Sequence, residues 1–305
     1  MNIEEKIKKI KKDKNAIVLT HFYAKPEVQN IADYLGDSLA LSQYAQKTTA
    51  DIIVFAGVYF MAETAKILNP TKKVYIPDRE SLCSLADSCP ADEFAEFKQK
   101  YPEHIVISYI NSTAEIKMLS DIICTSSNAK KIISSLDKNQ KIIFAPDRNL
   151  GNYLNKELNR NMILWDGACH VHDNLKVEHL VELKKQYPSA KVIAHPECRQ
   201  FIVELADFIG STTALINYVE KSLDDTFIVA TETGILHSMR KVAPNKKIVI
   251  LGSKENSECN DCKYMKLNTL EKIYDCLNQG KNEIVLDEKT IEKAKLPILK
   301  MLELS

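Results

Sequence analysis

Glycine is scarce: the 305 residues hold only 8, and neither a G-x-G-x-x-G nor a Walker A sequence occurs. Loops that cradle the phosphates of a nucleotide need such glycines for close backbone approach. A nucleotide fold of the Rossmann or P-loop type is therefore not expected. Net charge is lacking too, since 41 basic residues balance 41 acidic ones. Phosphate binding wants a basic excess, so nucleic acid is not an expected partner, although a local basic pocket stays open. No run approaches the roughly 18–20 apolar residues of a membrane span. The Lys-rich start is not followed by the apolar stretch of a signal peptide, so no membrane association is expected. What is present is the composition of a soluble globular protein, 45% hydrophobic and 27% charged, long enough for two or three domains. Eight cysteines without a secretory signal suggest a reducing cytoplasm, where thiols more often bind metal or do chemistry than pair.

One sentence is written three times. Residues 192–212 read as a buried strand, a polar corner at His195, a helix and a hydroxyl-bearing loop, and residues 18–38 and 106–126 repeat the pattern. His21 to Asp33, Tyr109 to Asp121 and His195 to Asp207 are each 12 apart; the same starting residues lie 17 before Ser38, Ser126 and Thr212. The copies are offset by 88 and then 86 residues, far longer than a solenoid rung, so each copy reads as a small domain. Before each block lies a charged amphipathic helix (3–12, 92–100, 177–185); after it come a second strand (52–56, 142–145, 227–230), a helix and a third strand (74–76, 162–165, 248–251). Strands alternating with helices mean βαβ units and parallel sheets, with ligands beyond the carboxyl ends of the strands. The first helix is expected to run from Pro26 to about Leu35 with Gly36 as its C-cap. After Cys262, helices near 270–277 and 288–304 form a tail expected to pack back on the body, and Pro297 is expected to kink or restart the last of them. The expected domains are 1–86, 87–172 and 173–262, with the tail at 263–305.

The chemistry-bearing residues fall at the strand ends. Cys83, Cys169 and Cys262 recur at one structural position, past the third strand of each copy. Three thiolates at a pseudo-threefold axis cannot close a tetrahedral site alone. A [4Fe–4S] cluster held by three cysteines leaves one iron open, free to act as a Lewis acid on a hydroxyl or carboxylate. The C-x-x-C formed by Cys259 and Cys262 keeps zinc arguable and raises a redox pair as a hypothesis. Cys124, Cys198 and Cys276 read as packing residues in helical runs, Cys89 has no repeat partner, and a C-x-x-C-H haem motif is absent. His21, Tyr109 and His195 are symmetry mates aimed at one centre, with Tyr23, Asn111 and Glu197 two residues on. Glu197 is the natural general base or acid. Ser38, Ser126 and Thr212 read as helix N-caps around the axis, where free N–H groups suit a compact, multiply anionic substrate. His170 and His172 flank Cys169, and one of them is a candidate second layer around the metal.

These residues carry a resemblance. Leu19-Thr-His21-Phe-Tyr23, Tyr109-Ile-Asn111, Thr125-Ser-Ser-Asn128, Asp166-Gly-Ala-Cys169-His-Val-His172, His195-Pro-Glu-Cys198 and Cys262-Lys-Tyr-Met-Lys-Leu-Asn268-Thr resemble the quinolinate synthase family of NAD biosynthesis over essentially the whole chain. Relatives often have Pro after the last cluster cysteine, where this chain has Lys263. The resemblance implies an α/β fold of three pseudo-symmetric three-layer αβα domains around a central cavity. It implies a [4Fe–4S] cluster on Cys83, Cys169 and Cys262. It also implies condensation of iminosuccinate (iminoaspartate) with dihydroxyacetone phosphate to quinolinate, with loss of phosphate and water. Substrate contacts carry over to His21, Ser38, Tyr109, Asn111, Ser126, His195, Glu197 and Thr212, with Tyr23 beside them, and the catalytic set to Glu197, Tyr23, Tyr109 and His195. Transient contact with the iminoaspartate-producing enzyme is a further expectation. Two other readings exist: the diphthamide-synthesis radical family, of similar design, and a non-enzymatic iron–sulfur sensor. The Glu197 and small-anion set argues for a metabolite pocket over the first, and the ring of His, Tyr and Glu over the second.

Overall fold

The computed structural model describes residues 1–252 and 260–305. Twelve strands fall into three sheets of four. The first holds β1 (Ala16–His21), β2 (Tyr34–Gly36), β3 (Ile52–Ala56) and β4 (Lys73–Tyr75); the second β5 (Ile105–Tyr109), β6 (Ile122–Cys124), β7 (Ile142–Ala145) and β8 (Ile163–Leu164); the third β9 (Lys191–Ala194), β10 (Phe208–Ile209), β11 (Thr226–Ala230) and β12 (Lys247–Ile250). The orders are β2-β1-β3-β4, β6-β5-β7-β8 and β10-β9-β11-β12, all parallel. The two central strands of each sheet are continuous apolar runs, and nearly every residue in them is buried. Such runs require helices on both faces, and the three amphipathic helices expected from sequence supply part of that cover at Ile3–Asp13, Ala91–Gln99 and Val177–Gln186.

An aspartate fastens each sheet at its edge. The Asp33 N–H donates to the Val18 carbonyl (2.9 Å) while its carboxylate accepts the Val18 N–H (2.7 Å). Asp121 does the same for Val106 (2.9 and 2.7 Å), and Asp207 for Val192 (2.8 and 2.8 Å). The strict spacing seen in the sequence therefore has a backbone cause: each aspartate begins the short edge strand and satisfies both polar groups of its neighbour.

Three expectations need correction. The helix thought to reach Leu35 ends early, at Pro26–Asn30, and residues 34–36 form β2, with Gly36 in the strand rather than capping a helix. The same three-residue or shorter edge strand recurs as β6 and β10, too brief to show a period of its own. Cys124 lies in β6 and Cys198 in a turn, so of the packing cysteines only Cys276 is helical; all three are buried, as expected. The last helix, Glu288–Glu303, runs through Pro297 as a single element, so of the kink or restart expected there the restart does not occur.

The tail does pack back. The helix Leu270–Gln279 lies against the first helix, and the chain after it pairs with β4 through Ile284 N–H to Val74 O (2.8 Å). The helix Glu288–Glu303 crosses from the helix Tyr59–Leu68 of the first unit to Ala114–Met118 and β6 of the second, burying Ala294, Ile298 and Met301. Ile298 has no exposed surface. Ile298→Ala should therefore lower the unfolding free energy by about 2–5 kcal/mol, read from the urea midpoint; an unchanged midpoint contradicts the tail's role as a fastening between units.

Candidate active site

The substrate, catalytic and cysteine-ligand residues carried over from the resemblance all line one chamber, where the carboxyl ends of the three sheets converge. His21 and Tyr109 are the last residues of β1 and β5, and His195 follows β9 directly. The turns are alike. The Tyr23 N–H donates to His21 Nδ1 (3.2 Å), and the Glu197 N–H to His195 Nδ1 (3.4 Å). With Nδ1 accepting, the proton of each ring sits on Nε2, and His195 presents it to Ser126 Oγ at 3.2 Å. Burial lowers His21 to about 4 and His195 to about 3 against the partial opposition of nearby carboxylates, so both rings are neutral at pH 7. Burial also raises the phenols of Tyr23 and Tyr109 well above their usual value.

Glu197 is the exception. Burial pushes its carboxyl up, but His172, His195 and the Tyr109 hydroxyl together hold it below the usual range. His172 Nδ1 lies 2.9 Å from Glu197 Oε2, and the Tyr109 hydroxyl bonds to both Glu197 and Ser126. Asn111 lines the chamber, and its side-chain oxygen is buried without a partner.

The three cysteines share one local structure. Cys83 and Cys169 stand immediately before the short helices Ser84–Asp87 and His170–Asp173, and Cys262 before the 3-10 turn Met265–Leu267. Each carbonyl accepts from the residue four on: Asp87 at 2.9 Å, Asp173 at 2.9 Å and Lys266 at 3.2 Å. Backbone N–H groups in that turn reach the sulfur, from Leu85 and Ala86, from His172, and from Tyr264 and Met265. Burial pushes the Cys83 thiol up to about 12, Cys262 to about 11 and Cys169 well above its ordinary value. A buried sulfur that already collects amide donors suits a bound thiolate in a metal site. Cys169, His172 and Glu197 also bring a sulfur, a nitrogen and an oxygen within 4.8 Å of one another, but His172 Nε2 is bonded to Thr231 Oγ1 (2.9 Å) and its Nδ1 to Glu197.

The hydroxyl trio is not a set of N-caps. Asp37 caps the helix Ser38–Lys47 and Ser211 caps Thr212–Lys221, so Ser38 and Thr212 are first helical residues; Ser126 lies ahead of Asn128, which precedes the helix Ala129–Ser134. Two helix N-termini, not three, thus reach the chamber beside their hydroxyls. His172 is buried and lies with Nδ1 3.3 Å from Cys169 Sγ, whereas His170 is half-buried and bonds to Ser84 Oγ (2.5 Å). Cys259 lies outside the described residues, and so does its pairing with Cys262.

Sequence reasoning missed Asp147 and Glu232. They occupy one position, two residues past β7 and β11. Asp147 Oδ2 accepts the Cys169 N–H (3.3 Å) and Glu232 Oε1 the Cys262 N–H (3.0 Å). Glu232 also pairs with Lys266 (2.8 Å). Extending the repeat alignment past the second strand would have found both. The chamber encloses about 60 Å³, room for a few waters and well short of the roughly 300 Å³ of an ordinary ligand pocket. Among the described residues no lysine or arginine lines it.

Comparison with known proteins matches residues 5–303 to a family described as quinolinate synthetase A protein. A protein named quinolinate synthase from Synechocystis sp. is 59% identical over 98% of this chain and 94% of its own length. Proteins of the same name from Microcystis aeruginosa and Chloroherpeton thalassium are 56% and 54% identical, covering 98% and 100% of this chain and 94% and 95% of theirs.

In protein stripped of metal, the raised thiols should show in alkylation kinetics. The reactive form is the thiolate, so the rate for Cys83 and Cys262 should keep rising with pH toward midpoints of about 12 and 11. In the urea-unfolded chain the rate should level near the ordinary thiol value of roughly 8.5. The folded state thus holds these protons more tightly, and its advantage fades as pH climbs from the unfolded toward the folded value. A folded-state midpoint at or below the unfolded one contradicts the burial argument.

Proposed function

The chain belongs to the quinolinate synthase family, and from that premise we propose that it condenses iminosuccinate with dihydroxyacetone phosphate to quinolinate, losing phosphate and water. We take the working units as 1–86, 87–172 and 173–262 with a tail at 263–305, and place the reaction in the cytoplasm. Cys83, Cys169 and Cys262 would hold a [4Fe–4S] cluster with one iron open. When bound, that cluster supplies a Lewis acid able to polarise a hydroxyl or carboxylate of the substrate. The observation that carries this reading is the set of three equivalent, half-buried thiols lining one chamber, each with amide donors at its sulfur. Among the described residues lining the chamber there is no fourth cysteine, and both nitrogens of His172 are engaged.

The remaining residues divide the work by chemistry. Glu197 is ionised yet buried, so it can accept a proton during enolisation, imine formation and dehydration, and return it later. Tyr109 donates to it, and both Tyr109 and Tyr23 line the chamber. His195, neutral and with its proton on Nε2, can donate to a developing oxyanion without carrying charge. The unpartnered oxygen of Asn111 suits an N–H or O–H of the ligand. With no lysine or arginine among the described residues of the lining, carboxylates and the phosphate would be held by hydroxyls and by the N-termini of the helices Ser38–Lys47 and Thr212–Lys221. His21, Ser38, Ser126 and Thr212 belong to that binding set. An imine hydrolyses in water, which favours transient contact with the enzyme that produces iminosuccinate.

The test is anaerobic reconstitution followed by an assay for quinolinate from the two substrates. Iron and sulfide near four each per chain are expected for such a cluster, together with product. Glu197→Gln should lower kcat by about 10²- to 10⁴-fold with the absorption spectrum of the cluster intact. Full turnover in that variant removes the proton-transfer role.

A further inference from the structure

Lys117 has no exposed surface, and a lysine is almost never fully buried without a paired charge. It sits in the helix Ala114–Met118, which packs against the helix Tyr59–Leu68 at the seam between the first and second units. Its ammonium donates to the Ser112 carbonyl and stands 5.3 Å from the centre of the Phe60 ring. These contacts are a carbonyl and a ring, not a carboxylate. Phe60 and Cys83 both line the chamber, so the ammonium stands behind a side chain of the chamber wall.

The repeat shows that this hydrogen bond does not need the charge. Subtracting the offset of 88 takes Lys117 to Gln29 and Ser112 to Ala24. Gln29 is buried, and its amide donates to the Ala24 carbonyl at 2.8 Å, the neutral counterpart of the bond from Lys117 to Ser112. The facing sides correspond as well. Gly234 and Phe60 each stand four residues past the alanine that ends a second strand. Gln29 reaches the Gly234 carbonyl (3.0 Å) where Lys117 meets the Phe60 ring. Adding 86 to 117 gives the apolar Val203 in the third copy. A neutral amide therefore fastens this corner in one copy, and what the second copy adds is a positive charge.

The chamber has negative charges to offset. An oxidised cluster of the proposed type on three thiolates is net anionic, Glu197 is held ionised, and iminosuccinate brings two carboxylates. Among the described residues no lysine or arginine lines the chamber. Burial lowers Lys117 to about 8, against the charges of Glu63, Glu115 and Cys83, so its ammonium persists at neutral pH. Burial raises Glu63 to about 7, with Lys117 opposing. Of the two, Lys117 is the one on which the Cys83 charge acts, so the positive sign prevails on the chamber side. In low dielectric such a charge is felt farther than in water and is little screened by salt.

We propose that Lys117 is a positioning residue for the anionic contents of the chamber: from behind Phe60 its buried ammonium supplies the counter-charge for the cluster at Cys83 and for a dicarboxylate bound there. This rests on the function proposed above. The ammonium touches neither group and acts by its field. Each negative charge brought into the chamber is stabilised by it, so it favours a ligand with two carboxylates over one with a single carboxylate. Packing of the helix Ala114–Met118 against Tyr59–Leu68 holds the charge in place without a cationic side chain in the chamber itself.

Lys117→Gln gives the second copy the side chain that the first copy carries, with the donor kept and the charge gone. Combining it with Glu63→Gln avoids a lone buried carboxylate and keeps an acceptor for the Ala114 N–H. Lys117→Met with Glu63→Gln removes the donor as well. In anaerobically reconstituted protein with wild-type iron and sulfide, both double variants should lower the midpoint reduction potential of the cluster, followed by electron paramagnetic resonance, and to the same extent. Both should raise Kd for quinolinate, measured by titration calorimetry, about tenfold. Kd for picolinate, which has one carboxylate fewer, should rise less. Wild-type potential and Kd in the Lys117→Gln double variant overturn the proposal, since a loss confined to Lys117→Met would belong to the hydrogen bond. Equal losses for the two ligands overturn it too, because a distorted chamber does not count charges. A wild type that holds the cluster yet makes no quinolinate overturns the proposed function, while the potentials still decide the part of Lys117. A wild type that holds no cluster overturns both.

Discussion

Desolvation where three sheets converge sets the state of every group in the chamber. A charge there loses the stabilisation of bulk water, so histidines shed their proton and thiols keep theirs. His21 and His195 are lowered and Cys83, Cys169 and Cys262 raised for this one reason. Among the described residues of the lining, neutral donors stand where lysines and arginines usually meet anionic substrates. In low dielectric a fixed N–H or O–H dipole is worth more than in water and needs no reorganisation at the moment of reaction. Glu197 keeps a charge in this setting only because His172 and Tyr109 donate to it, and its basicity is therefore in the hands of its partners.

Repetition and divergence have separate jobs. What repeats is placement: the edge aspartates 33, 121 and 207, the corner turn after the first strand, and the turn that presents each cysteine. These bring equivalent positions of three units to one point. What diverges is chemistry. The position two past the corner is Tyr23, Asn111 or Glu197, and the position two past the second strand is Val58, Asp147 or Glu232. Symmetry builds the chamber, and the breaks in it give each wall a different function. A ring of three identical corners could surround a ligand but could not hold a base on one side and an acid on the other.

The parts of this design that repeat at fixed spacing were legible in the sequence. His21, Tyr109, His195 and the three cysteines stand out because each recurs at its own fixed place in the copies, and the structure sets all of them on one lining. The edge strands were not legible, because two or three residues carry no alternation, and the 26–35 stretch reads as a continuous helix until the parallel pairing of Leu19 with Tyr34 is known. Nor was the capping of the two chamber helices, since Asp37 beside Ser38 and Ser211 beside Thr212 are each plausible caps and only the backbone decides. Thr231 escaped for a different reason. Its partners Tyr23 and His172 lie 208 and 59 residues away in the chain, and the other copies hold Gly57 and Pro146 at its place, so the regularity that revealed the rest concealed it.

The seams between units are held by unlike forces. Between the first and second, Glu63 accepts the Ala114 N–H (3.1 Å) and the fully buried Lys117 bonds to the Ser112 carbonyl while its ammonium sits 5.3 Å from the centre of the Phe60 ring. The helix Glu288–Glu303 lies across both. Between the first and third, Gln29 bonds to the Gly234 carbonyl (3.0 Å) and to Ser238 (2.9 Å), and at the start of the tail Lys266 bonds to the Tyr23 carbonyl (2.7 Å). These are buried or half-buried contacts, and removing one partner strands the other away from water, at about 1–3 kcal/mol each. Between the second and third, outside the chamber, the ties include Lys156 to Glu204, a pair with exposed side chains of the kind that contributes about 0–1 kcal/mol. That seam borders Glu197, whose carbonyl is bonded to Asn149 across it (3.1 Å). The chamber's own hydrogen bonds, from His172 to Glu197 and from His195 to Ser126, therefore carry much of the attachment there, so the groups that do the chemistry also help to keep the wall closed.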